Sequence, residues 1–522
     1  MTLSIPVPTA FLAAAGGVHE TSRLVPDASD LPALILVPLI LGVFLVPLAG
    51  LVRRRLAYWT TLLVLAAYAA ATLSGLARVI TDGPLRYRMA GWTPPLGIEL
   101  ALDALSAFVM ATIAVIALLV AIYAGAAVRR ENAEREVPFF SLMIVMLLGL
   151  SGMVLTADLF NLYVFFEVSS LSGYALMAVG HRKAVVSAYR YLLLGTIGAS
   201  FYLLGVGYLY VLTGSLNMAD VASRLGELGS NPALTVSVVF MVVGLGLKMA
   251  LFPLHIWLPD AYTHASSTST AIIAPVMTKV SAYVLIRMLY FVYGAEWSLT
   301  ELGIGPIVSW LAMGGVVWGS LMALAQRDAK RMLAYSSVAQ VGYIGLGLAT
   351  GHPLALAGAI LHILNHAMMK SCLFLVTGSV ELGGGSRHLD DWQGLGRRMP
   401  LTFVGFTLAA LAMVGIPPTS GFFSKWYLAL GLAHTGQWVL LVLLVLSGLL
   451  TAGYFFRVLE RVYAREPREG AVLPAGEASA AMSLPVVALG VGTLLLGLFN
   501  AWFVGRVIAQ ALPAGLNLPG VS

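Results

Sequence analysis

"GLGLKMALFPLHIWLPDA", residues 244–261, reads as a membrane helix that stops before it has crossed. Its flanks are apolar, yet Pro253 lacks the amide that a helix needs, and Gly244 and Gly246 loosen the turns before it. Carbonyls freed at such a break are tolerated in a bilayer only where buried protein or water satisfies them. Lys248 sits inside the same stretch. An ionised side chain at the bilayer centre costs at least ~2.5 kcal/mol on the mildest insertion scales, so an intramembrane lysine is a functional candidate by default. A second stretch repeats the arrangement: VGIPPTSGFFSKWYLAL, residues 414–430, carries Lys425 beside Pro417, Pro418 and Gly421.

Composition explains what these breaks interrupt. Of 522 residues, 59% are hydrophobic and 10% charged, which is too much apolar surface for one soluble core. Apolar runs fall near 31–52, 57–80, 101–127, 138–156, 158–180, 189–213 and 233–258, then near 266–293, 303–325, 332–350, 354–382, 400–430, 436–460 and 482–508. Each is about as long as a helix crossing ~30 Å of hydrocarbon requires. The runs do not alternate with period two, so the chain is expected to be an all-α polytopic membrane protein of about 14 transmembrane helices, not a barrel. The two breaks lie five spans apart. Because five is odd, a second unit would be inverted relative to the first, giving two inverted five-helix repeats, each with a broken helix. The expected layout is an extracytoplasmic N-terminal extension over 1–30, helices 1–3 over 31–137, the first repeat over 138–293, the second over 303–462 and a final helix over 482–508. MTLSIPVPTA, at the start, has no basic region of the kind that opens a cleaved signal peptide.

Charge supplies the orientation. In alternate loops beginning with Arg53, Arg54 and Arg55, 19 basic residues accumulate, against five (Arg23, Arg78, Arg86, Arg88, Arg224) in the others. The positive-inside rule then places the first set in the cytoplasm, and an even number of spans places both termini outside a cell membrane. This distribution, and not nucleic-acid binding, accounts for the net charge of +6. Arg287 and Arg506 lie near helix ends, where they are expected to snorkel. The remaining four cations are lysines at 248, 279, 370 and 425, two thirds of the six in the chain, all inside or at breaks of apolar runs.

Other chemistries find no residues. One cysteine, Cys372, excludes internal disulfides and four-thiolate metal or iron–sulfur sites. GLGLKM at 244–249 lacks the third glycine of a dinucleotide fingerprint, and GGGSRH at 383–388 reads as a flexible loop, not a phosphate cradle. No cofactor is expected on this chain, nor enzymatic activity by the chain alone. Any redox chemistry would belong to other subunits.

Against the four lysines stands one acid deep in an apolar run, Glu167 in TADLFNLYVFFEVSSLSGYALM, 156–177. Burial in low dielectric weakens a lysine's hold on its proton, and an adjacent carboxylate restores it. Making and breaking a pair between Glu167 and a buried lysine would shift proton affinity by ~4 kcal/mol, comparable to moving one charge through ~170 mV. A static ion pair joining two helices is the alternative. His362, His366 and Lys370 recur at four-residue spacing and so share one helix face. Histidine titrates near neutral pH and can pass protons through water. HILNH lacks the glutamate of a zinc-protease motif, so no metal is expected. His255 and His264 flank the WLPDA turn, where His255 would feed protons towards Lys248; Asp260 reads as a loop anchor, Asp103 and Asp158 as caps.

Five motifs in order then resemble one family: DLFNLYVFFE at 158–167, LKMALFPLHIWLPDA at 247–261, QRDAKRMLAYSSVAQVGYI at 326–344, HILNHAMMKSCLF at 362–374 and GIPPTSGFFSKWY at 415–427. They resemble the proton-translocating antiporter-like subunits shared by respiratory complex I, membrane-bound hydrogenases and Mrp-type sodium/proton antiporters, with the wording most like the D component of the Mrp antiporters. The resemblance covers roughly residues 100 to 465. HASSTST at 264–270 departs from the proline-rich stretch usual there. The resemblance implies a proton path along the membrane midplane, in which Glu167 pairs with Lys248 and transfer continues through Lys279, His362, His366 and Lys370 to Lys425. It implies a hetero-oligomer of integral membrane subunits, exchanging protons for a monovalent cation such as Na+. The alternative is a pump module of a redox complex, an NADH-quinone oxidoreductase or a membrane-bound hydrogenase. No sodium-selective set of carboxylates is visible in the residues themselves.

Overall fold

A computed structural model describes residues 30–179, 182–228, 231–468, 470 and 473–518. The expected extension over 1–30, apart from its last residue, lies outside the described residues, as does Arg23. The protein is an all-α membrane protein, and among the described residues twelve helices are long and apolar enough to span. Numbering helices of eight residues or more, α1 (Leu31–Val52) and α2 (Arg54–Asp82) form an antiparallel pair. A short hairpin, β1 (Leu85–Arg88) with β2 (Glu99–Leu102), leads to α3 (Ala104–Asn132), α4 (Glu136–Leu155), α5 (Leu159–Ala178), α6 (Arg182–Thr213) and a short amphipathic α7 (Met218–Leu228). Then follow α8 (Pro232–Met249), α9 (Trp257–His264) and α10 (Ser267–Ile286), which continues as a wider turn to Val292. The remainder is α11 (Ile304–Ala325), α12 (Ala329–Ala349), α13 (Pro353–Leu382), α14 (Pro400–Val414), α15 (Ser420–His434), α16 (Trp438–Ala464) and α17 (Ala480–Leu498).

Both breaks foreseen from the sequence are present. α8 ends at Ala250, at φ 64°, with the Leu251 amide folding back on Gly246 O at 2.8 Å; α14 ends at Gly415, at φ 88°, with Ile416 folding back on Leu411 O at 3.1 Å. These are the same six-to-one helix closure, which turns the last carbonyls inward. At the first break, Trp257 Nε1 donates to Leu247 O at 2.9 Å; at the second, the Lys425 amine donates to Met413 O and Val414 O at 2.8 and 3.1 Å. No carbonyl named here is left facing lipid, which is what the bilayer demands.

Burial sorts the helices. α10, α12 and α13 are 94% buried over their apolar windows, α1 28% and α16 33%. The first three form the centre, and the others turn apolar faces outward, where lipid accepts them. α10 and α13 touch along their length. Pro275, inside α10, cannot donate to Ala271 O, and Ser371 Oγ from α13 does so instead at 3.1 Å. The proline defect of one central helix is thus repaired by its neighbour.

Candidate functional site

Lys248 occupies the last turn of α8, 3% exposed. Its amine donates to Ser170 Oγ at 2.5 Å and Tyr174 OH at 2.6 Å, and lies 4.7 Å from the centroid of the Phe166 ring. Ser170 and Tyr174 stand three and seven residues beyond Glu167 on α5, on the same helical face. Glu167 is half-buried, and among the described residues no hydrogen bond or ion pair reaches its carboxylate. The contact ion pair expected from the sequence is therefore not formed: hydroxyls hold the amine further along the face, within range of the Glu167 field. A void of about 10 Å³, room for about one water, opens beside Lys248 toward Met277 and Ser281 of α10.

Lys279, on α10, is 2% exposed and donates to Ala274 O at 2.6 Å and Thr278 Oγ1 at 3.0 Å. It does not snorkel to a loop. His362, His366 and Lys370 share the inner face of α13 and are wholly buried. The Lys370 amine donates to Leu333 O at 2.7 Å and to Ser336 Oγ. His362 bridges Gln340 Oε1 of α12 and Ser424 Oγ of α15, each at 2.9 Å. The His366 ring stacks on His362 at 5.9 Å, and among the described residues neither of its nitrogens has a partner. Lys279 lies within electrostatic reach of His362, His366 and Lys370, and His362 within reach of Lys425. Lys425, half-buried, lies 4.8 Å from the Tyr343 ring centroid. Lys279, His362, His366, Lys370 and Lys425 are thus within one another's electrostatic reach across α10, α13 and α15, while Lys248 lies on α8 beside a void that α10 also lines.

His255 lies in the break just before α9, stacked on Phe252 at 5.3 Å with Nδ1 unpartnered among the described residues, and His264 holds the far end of α9 through Ser187 Oγ at 2.8 Å. Two expectations change. Arg287 does not snorkel: it forms a two-pronged ion pair with Asp103 at 2.6 and 2.8 Å. Burial alone would raise the Asp103 carboxyl, but Arg287 overrides it and holds it at about 2. Asp103 also caps α3 through the Ser106 amide at 2.9 Å. Lys330, counted among loop cations, is 2% exposed and donates to Ala265 O at 2.5 Å. It lines a polar cavity of about 670 Å³ with Glu131, His264, Ser267, Glu381 and Arg387, on the face that carries the basic loops. Asp158 caps α5 through the Asn161 amide and Asp260 pairs with Arg190 and Arg331, both as expected.

Serines and tyrosines are the residues that sequence reasoning passes over. Ser170 and Tyr174 are legible only as i+3 and i+7 neighbours of Glu167; Ser336, Gln340 and Ser424 carry no sequence signal beside their partners.

Residues 156–451, more than half of the chain, match the family model described as "NADH:quinone oxidoreductase/Mrp antiporter, TM". The chain belongs to this family. The region matched contains Glu167 and every lysine and histidine described above. An antiporter-like subunit of Mrp or complex I type, it is 48% identical over 93% of its length, and 99% of the relative's, to the N component of NADH-quinone oxidoreductase from Desulforudis audaxviator. It is 31% identical to the D component of the Na(+)/H(+) antiporter of Bacillus subtilis, covering 84% of this chain and 88% of that one. Among solved structures, a chain of the Mrp complex from Dietzia sp. DQ12-45-1b superposes with a TM-score of 0.85 at 26% identity, covering 94% of this chain and 98% of that one. A chain of respiratory complex I from Thermus thermophilus gives 0.73 at 28%, covering 90% and 98%.

Proposed function

We propose that this antiporter-like subunit moves protons through the file Glu167, Lys248, Lys279, His366 and Lys370, His362 and Lys425, with His255 feeding Lys248 from the break. The observation that carries this reading is the position of the Lys248 amine, held by hydroxyls on the very helix face that presents Glu167. A shift along that face exchanges hydroxyl partners for a carboxylate and so raises the amine's affinity for a proton; the return releases it. The basic-loop face is the cytoplasmic one in this proposal, both termini lie outside, and residues 138–293 and 303–462 act as inverted halves around Lys279. Its partners are other integral membrane subunits.

Exchange of protons for Na+ in a multisubunit antiporter is the main reading. The 48% identity to a relative named for NADH-quinone oxidoreductase favours a second, a pump module in a redox complex. Subunits that co-purify with the chain separate them: small membrane proteins for the first, iron–sulfur and quinone-binding proteins for the second.

Glu167→Gln tests the gate. It keeps the volume and removes the charge, so ΔpH-driven transport in vesicles should drop by about tenfold or more, a change of ~1.4 kcal/mol in the barrier. Near-native transport by a fully assembled complex would overturn the gate. At the polar cavity, Lys330→Met should slow proton uptake from the basic-loop face by several-fold without altering uptake from the other. Equal effects in both directions would remove the cavity from the path.

A further inference from the structure

At the end of the file, α13 and α15 cross in one continuous antiparallel register. His352 meets His434, Ala355 meets Gly431, Gly358 meets Leu428 and His362 meets Ser424. The two histidine contacts close the ends of this crossing, ten residues or about 15 Å apart on each helix. Between them the backbones touch. A Cβ on Gly431 would fall 2.7 Å from Ala355 N, and one on Gly358 would fall 2.8 Å from Ser424 O. Movement at one end has no slack to absorb it before the other.

His352 and His434 stack at 5.3 Å with their planes 9° apart. They lie at the end of α13 away from the basic loops. His352 is also the N-cap of α13: its Nδ1 accepts the Leu354 amide at 3.2 Å. An imidazole that accepts through Nδ1 is neutral, and protonation would convert that acceptor to a donor. Three penalties would follow together: loss of the cap, a cation at the positive end of a helix, and a cation against the facing ring. The segment packed on this corner, Glu296–Glu301 with Leu299 against Gly351, brings two acids, Glu296 and Glu301. Neither forms an ion pair with either ring among the described residues, and His434 is the titratable neighbour whose field reaches His352. Burial first, and His434 second, hold the His352 ring below the usual histidine range.

We infer that His352 and His434 form a proton-binding clasp at the extracytoplasmic mouth, which opens on acidification and uncouples His362 from Ser424. The inference rests on the proton path proposed above. The sign follows from the neutral His352 ring being the one that caps α13: the clasp is complete above the ordinary histidine range and is lost as the outside pH falls through the lowered value of His352. Acid accumulating outside would therefore slow further delivery, a valve driven by its own product.

The test uses the intact complex in inverted vesicles, whose lumen is the extracytoplasmic side, preloaded at pH values from about 8 to 5, the range that histidine titration spans. His352→Asn with His434→Gln keeps a capping side chain and removes both imidazoles. The native complex should lose transport steeply as luminal pH falls, approaching tenfold per pH unit below the titration point, and the double variant should show a flat profile. Protection factors of the Leu354–Gly358 amides, each exchange rate divided into its intrinsic rate at the same pH, supply a second readout, falling in acid for the native chain only. Protection that is equally insensitive to pH in both proteins overturns the clasp, whatever transport does. Protection that responds to pH in the native chain only, with transport declining identically in both proteins, overturns the valve. Absence of transport at every pH, with exchange responding as expected, sinks the proton path and leaves the clasp standing.

Discussion

Lys279→Met should abolish proton translocation, by about 100-fold or more, while the complex still assembles. A loss of that size corresponds to ~2.7 kcal/mol on the barrier. Lys279 is the amine whose field reaches His362, His366 and Lys370 alike, and it stands on α10 between Met277 and Ser281, which line the water-sized void beside Lys248. Met preserves most of the volume, and replacing a buried amine that has no carboxylate partner among the described residues by an apolar chain should not cost stability. Lys279→Arg is the sharper variant. It keeps a positive charge and hydrogen-bond donors, but a guanidinium does not give up its proton in a protein. If Lys279 shuttles protons, Arg fails as Met does; if it is only a fixed charge, Arg transports at the native rate, and the relay is refuted. Flux measured with a pH dye in vesicles decides it.

The second large effect belongs to Gly431→Val. A Cβ at this position would meet Ala355 Cβ at 2.5 Å and Ala355 N at 2.7 Å, and backbone cannot move aside as a side chain can. Overpacking of this kind costs about 1–3 kcal/mol, and it would also pull His362 away from Ser424. Lower thermal stability and lost transport are expected together. Gly448→Ala is the control, since nothing lies within 4 Å of its would-be Cβ on the outer helix α16. There the gain in helix propensity, up to ~1 kcal/mol, should leave the protein as stable or more so. Matching losses in both variants would show that the α13–α15 crossing has no special part.

Asp103 and Arg287 show how a residue's role can change between chain and fold. The sequence places each near a span end and treats each alone; only the packing of the turn after α10 on the start of α3 brings them to 2.6 Å. Lys330 changes in the same way. Its place in a run of loop cations is correct, but the α9–α10 connection covers it, so that Ala265 O accepts its hydrogen bond. Glu167 and Lys248 stand out in the sequence as charges within apolar runs, and Lys248 is buried and Glu167 half-buried; the hydroxyls that hold the amine do not stand out, because Ser and Tyr on a membrane helix are ordinary.

What the sequence by itself determined was the class of the protein and its candidate chemistry. Apolar runs of spanning length, and the two of them that a proline interrupts near a lysine, are each costly in a bilayer, and the cost makes them readable one residue at a time. The tertiary structure decided which of these groups meet. It set His362 between Gln340 and Ser424, left His366 without a partner among the described residues, held Lys248 off Glu167 and brought His352 onto His434. Burial is a property of local composition, but contact between helices depends on where small residues let two backbones approach, and that is fixed only when both are in place.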